Sequence, residues 1–156
     1  MFRNLPPITK NLLLINIICF LADMVFSRYG VNLSHILGLH YVTASEFGFW
    51  QPITYMFMHA NFSHLFFNMF AVLMFAPAIE DRWGSRRFLI YYLVTGIGAG
   101  IIQEIVWALQ LQPVLNSVDP LMAAQLANRV VTIGASGAVF GILLAFGWLF
   151  PDVRMY

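Results

Sequence analysis

Four stretches of the sequence, about residues 8–26, 52–79, 88–109 and 130–150, stay apolar over the length a helix needs to cross a bilayer. In hydrocarbon each backbone N–H and C=O must be satisfied within its own segment, so such runs leave the chain little choice but spanning helices. The expected fold class is all-α: a polytopic transmembrane helical bundle with four spans present. Composition agrees, because 60% of the 156 residues are hydrophobic, 10% are charged and the mean hydropathy is +0.77, values that do not suit a soluble core of this size. The net charge is +1 and no basic cluster exceeds Arg82, Arg86 and Arg87, which argues against nucleic acid as a partner and leaves the lipid bilayer. Cys19 is the one cysteine and sits in an apolar run, so it reads as a packed thiol rather than part of a disulfide scaffold or zinc site. The first run lacks a small-x-small cleavage site and continues through Ala22-Asp23-Met24-Val25-Phe26, as a retained anchor does.

Pro6 and Pro7 lead into the first span, whose strongly polar interruptions are Asn11, Asn16 and Asp23. Residues 27–50 read as a loop at the membrane interface, anchored by Phe47, Phe49 and Trp50. Asp23 and Glu104 fall toward span ends, where reaching water is cheap, and His35 and His40 read as loop residues without a chemical role. The third span holds Gly96, Gly98 and Gly100, a GxxxG spacing that permits close helix approach. In the irregular segment 110–131, Asp119-Pro120 predicts an N-cap and first-turn proline for a short interfacial helix from Leu121 to about Asn128. Basic residues alternate in excess: Arg3 and Lys10 precede the first span, Arg28 follows it, three lie in the Glu80–Arg87 connector, and Arg129 and Arg154 follow the last two spans. The positive-inside rule then sets the N-terminus, the connector and the Arg154 tail in the cytoplasm.

One polar stretch stands out, His59-Ala-Asn-Phe-Ser-His64-Leu-Phe-Phe-Asn68, inside a run of Met, Phe, Leu and Ala where polar groups are expensive. His64 and Asn68 are four apart and share a helix face, whereas His59 to His64 turns roughly 140° away, which favours a His/Asn pair over a two-histidine metal clip. Its complement is Gly134-Ala135-Ser136-Gly137, a serine between glycines at the head of the last apolar run. Glu80 and Asp152 mark the inner ends of spans two and four, and each lies sixteen residues from its polar partner, His64 or Ser136. Both partners therefore stand roughly 24 Å above the inner boundary of a core about 30 Å thick, with Asn68 one turn deeper. A serine at a helix N-terminus between glycines is open to attack a substrate, and His and Asn donors at the same depth suit the oxyanion of an acyl-transfer intermediate. A base for Ser136 is missing from this set.

His59-x4-His64-x3-Asn68, then Glu80-x-Arg82-x-Gly84, then Gly134-x-Ser136-Gly137 resembles the rhomboid family of intramembrane serine proteases in order, spacing and topology. The resemblance implies Ser136 as nucleophile, with His64, Asn68 and Ser136 itself lining the oxyanion site, and His59, Gly134 and Gly137 shaping it. It implies a structural role for Glu80, Arg82 and Gly141, no metal or cofactor, transmembrane protein substrates cut near the outer face, and a multi-pass protein of a bacterial inner (plasma) membrane. The chain would be a partial rhomboid-like domain over residues 1–156, four spans of a six-span core, because no histidine follows Ser136 to act as the family's general base. On that reading these residues are inactive by themselves, Gly137 and Gly141 offer a flat surface to a later helix, and Phe140 stands where some members carry a tyrosine. The alternative is a catalytically inactive rhomboid-like protein that binds membrane-protein clients. A small transporter or channel is disfavoured, since the polar groups crowd into one half of the membrane rather than through its midplane.

Overall fold

The computed structural model describes residues 5–153, so Arg3 and Arg154 lie outside the described residues. Helix α1 (Pro7–Ser27) opens with Pro7 in its first turn, where a missing N–H costs nothing. The loop after it folds into a single helical turn, α2 (Leu33–Leu37), capped by the Asn32 side chain, and a two-residue strand, β1 (Leu39–His40). Helix α3 (Gln51–Thr54) runs into a 3-10 turn, Tyr55–Phe57. Helix α4 (Phe62–Trp83) begins at Asn61, whose side chain accepts the His64 N–H at 2.9 Å. Gly84 alone separates α4 from α5 (Ser85–Gln110), which leads into α6 (Gln112–Ser117) and α7 (Pro120–Arg129). Asp119 caps α7 through the Leu121 and Met122 amides, as the sequence predicts. Strand β2 (Val131–Thr132) pairs antiparallel with β1, tying the first loop to the approach of α8 (Ser136–Leu149).

Two spans differ from expectation. The second begins at Phe62 rather than Pro52, because Met58 turns extended and Asn61 starts a fresh helix. The fourth is only 14 residues, because Val131 and Thr132 are spent on a strand and Gly134 adopts φ +127°. Among the described residues, three helices are long and apolar enough to cross a membrane, and α8 is a shorter apolar helix.

The core lies where α8 packs against α4 and α5, with α1 on the far side of α4. Leu65, Met69, Val72, Ala76 and Ile79 recur at three- and four-residue steps along α4 and are buried. Phe62, Phe66, Phe67 and Phe70 of the same helix are exposed, which is the face a bilayer covers. Gly137 and Gly141 face α5: a Cβ on Gly137 would strike Ala99, and one on Gly141 would come within 2.7 Å of Thr95, both on that helix. Tyr91 of α5 donates its hydroxyl to the Gly141 carbonyl at 2.8 Å, fixing that close approach. Gly96 and Gly100 meet Met56 and Tyr55 of the 3-10 turn, while Gly98 faces open space.

Three polar expectations also change. Asp23 accepts the Ser34 N–H (3.1 Å) and hydroxyl (2.6 Å), and Glu104 accepts the Val42 N–H (2.9 Å) with its other oxygen buried and unpartnered. The folded loop simply supplies nearer donors. His40 is fully buried, donating Nε2–H to the His35 carbonyl at 2.8 Å while its own amide bonds Gln51. Glu80, 2% exposed, accepts four bonds: from the Ile8 and Thr9 amides (2.9 and 2.7 Å), the Thr9 hydroxyl (2.8 Å) and the Ser85 hydroxyl (2.6 Å). These amides belong to the first turn of α1, so one carboxylate on α4 caps a neighbouring helix and clasps the start of α5. Arg82 is exposed and makes no hydrogen bond or ion pair among the described residues.

Candidate active site

Two helix N-termini meet at the site. His64 is the third residue of α4 and Ser136 the first of α8, and the two helices pack on each other. Gly134 reports their separation: the place a Cβ would take on Gly134 lies 2.7 Å from both Cε1 and Nε2 of His64 and 3.7 Å from the Ser136 Oγ. The imidazole edge and the seryl oxygen thus border one small space that only glycine leaves open. The Gly134 amide donates to the Tyr55 carbonyl at 2.9 Å, which holds this strained residue in place. Tyr55 in turn donates its hydroxyl to the Gly96 carbonyl at 2.6 Å, linking the site to α5.

The tautomer of His64 follows from its neighbours. The Ala60 amide lies 3.4 Å from His64 Nδ1, a long contact that suits the tautomer with its proton on Nε2, the atom turned toward Gly134. In that tautomer His64 presents a donor, not a free base, to the space beside Ser136. Asn68, one turn further along the same face of α4, is 6% exposed and its Nδ2 has no partner. A buried amide without an acceptor is costly, and such groups are kept where something else is to be held. No side chain caps α8, so the amides of its first turn add further uncommitted donors around Ser136. Ser136 itself is exposed.

His59 is 2% exposed, neither ring nitrogen has a partner, and its ring sits edge-on to His64 with centroids 5.0 Å apart. Burial first, and the neighbouring His64 second, lower its pKa to about 4, so it is neutral near pH 7. The spacing argument alone does not foresee this contact: residues 58–61 lie outside any helix, so the 140° helical rotation does not apply. Sequence reasoning also missed Tyr55, whose part is played by its backbone carbonyl, a group with no signature in the sequence. Among the described residues no group of three His, Cys, Asp or Glu side chains converges as a metal site.

The family model described as a Rhomboid domain matches residues 46–156. Rhomboid-like protein 11, chloroplastic, of Arabidopsis thaliana is 30% identical over 84% of this chain and 38% of its own length. The putative rhomboid protease YdcA of Bacillus subtilis is 38% identical over 60% of this chain and 37% of its own. Rhomboid protease AarA of Providencia stuartii is 31% identical over 88% of this chain and 49% of its own. The chain spans less than half the length of each of these relatives. With the motif serine and histidine bordering one glycine-lined space, and with this domain match covering most of its length, the chain belongs to the rhomboid family.

Proposed function

We propose that this integral membrane protein is an intramembrane serine endopeptidase that cleaves transmembrane proteins near the non-cytoplasmic face. The space shared by His64 Nε2, Ser136 Oγ and the absent Gly134 Cβ carries the proposal. Ser136 is the nucleophile. The Nε2–H of His64, the Asn68 amide and the first-turn amides of α8 receive the oxyanion, each such donor worth about 3–4 kcal/mol in the transition state. His59 and Gly137 shape the site around them. Acyl transfer also needs a base to take the seryl proton, and on this reading none of the described residues fills that role, His64 being assigned to the oxyanion. These residues alone therefore do not turn over. The surplus of Lys and Arg on alternate segments supports an N-terminus on the cytoplasmic side of the membrane.

The test is covalent labelling by a fluorophosphonate probe of the natural gene product in membranes. Labelling of the wild type, its loss in Ser136→Ala and a fall of about 10²- to 10³-fold in rate for His64→Ala are the expected results. Equal labelling of Ser136→Ala, or none of the wild type, overturns the protease reading and leaves a non-catalytic relative that binds membrane-protein clients.

A further inference from the structure

We infer that the seam between α1 and α4 binds one phospholipid, with an acyl chain in the seam and an amine-bearing headgroup on Asp23. Three cavities that share lining residues lie along it. The middle one, about 340 Å³, has an apolar wall that includes Ile17, Phe20, Met24, Phe66 and Met69. A deeper one of about 170 Å³ shares Ile17, Phe66 and Met69 and reaches down to Leu13 and Leu73. At the other end a cavity of about 210 Å³ shares Phe20 and Met24 but turns polar, lined by Asp23, Ser27, His59 and Asn61.

The dimensions suit a hydrocarbon chain. From Leu13 to Asp23 the helix rises about 15 Å, half of a hydrocarbon core about 30 Å thick, so the apolar part has the depth of one leaflet and the polar part falls at headgroup level. A helical segment, about 10 Å wide, does not enter a slot between two helices already in contact, whereas a single acyl chain does.

Charge selects the headgroup. Asp23 is bonded by the Ser34 amide and hydroxyl, two neutral donors, and no cation pairs with it among the described residues. Two neutral donors satisfy hydrogen bonds but bring no positive charge, so the polar end of the seam suits a cationic group. The rest of the polar lining offers none: Ser27 donates to the Met24 carbonyl at 2.9 Å, the Asn61 oxygen is taken by α4, and His59 is neutral near pH 7. An ammonium headgroup supplies both charge and N–H donors, while an anionic one meets a like charge.

The experiment is native mass spectrometry of the protein released from nanodiscs of equimolar phosphatidylethanolamine and phosphatidylglycerol. One ethanolamine lipid is expected to be retained with about tenfold preference, the scale of one hydrogen bond to a charged group. Asp23→Asn, which keeps an acceptor for Ser34, is expected to bring the two lipids to parity. Ile17→Trp, placed in the middle cavity on a partly exposed position, is expected to abolish retention of both. Equal retention by the wild type, an unchanged preference in Asp23→Asn, or undiminished retention in Ile17→Trp overturns the inference. A diazirine on the acyl chain that fails to label α1 and α4 peptides does so as well.

Discussion

Replacing Gly134 by alanine tests the site with one atom. The new Cβ would stand 2.7 Å from both Cε1 and Nε2 of His64, inside the 3.0 Å that real Cβ contacts respect. The imidazole must turn away from its rotamer, at about 0.5–1.5 kcal/mol for roughly 30°. The backbone adds its own cost, because φ +127° is a conformation other residues adopt only at about 1–3 kcal/mol. Together Gly134→Ala is expected to destabilise the fold by about 2–4 kcal/mol. In a His64→Ala background the steric part vanishes and the backbone part stays, so the penalty falls by about 1 kcal/mol. Equilibrium unfolding in mixed micelles, run on the four proteins of the cycle, measures both quantities. Probe labelling of Ser136 should fall further than stability implies, since displacing a catalytic donor by about 1 Å costs on the order of a hundredfold. A Gly134→Ala protein as stable as the wild type, or an equal penalty with and without the imidazole, refutes the packing of His64 over Gly134.

Two further outcomes can be read with the same unfolding assay. Glu80→Ala leaves the Ile8 and Thr9 amides and two hydroxyls without their acceptor, and about 3–5 kcal/mol should be lost, whereas Arg82→Ala at an exposed position should stay within about 0.5 kcal/mol. Comparable losses for both would mean that the Glu80 clasp is not what holds α1. His59 titrates at about 4 in the fold against 6.5 for a free imidazole, so between those values the unfolded chain binds a proton that the folded one does not. Stability should therefore fall as pH drops through that window and show no contribution from this group above it, with the slope removed in His59→Asn. An imidazole NMR midpoint near 6.5 would contradict the buried position of the ring.

What the sequence shows and what it hides divide along physical lines. Spanning helices could be read because bilayer thickness imposes a length on apolar runs, and α1 and α5 fall close to where those runs lie. His64 and Asn68 could be paired because an i,i+4 step on a helix needs no tertiary knowledge. Helix starts were less visible, since Met and Phe on both sides of His59 and Asn61 let the stretch from Pro52 read as one span while its backbone breaks at Met58 and restarts at Asn61. That Gly137 and Gly141 meet α5 could not be read, because a small-residue spacing states that something approaches closely, not which helix it is. Loop partners such as Ser34 for Asp23 lie in segments without periodicity, where side-chain spacing carries no direction.

The shortness of α8 belongs to the chemistry of the site. Fourteen residues rise about 21 Å, so if the Pro151 end lies at one boundary of a core about 30 Å thick, Ser136 stands about 9 Å inside the other. Irregular backbone at such a depth is tolerated only where protein buries it or water reaches it. The first condition is met: Gly134 and Ala135 are buried and the Gly134 amide is bonded to Tyr55. The helix thus begins below the surface, with its uncapped amides beside the seryl oxygen and the His64 ring. An α8 continued upward through residues 131–135 would satisfy those amides with its own carbonyls and bury Ser136 in mid-helix. The donors that make the serine useful exist because the helix starts late.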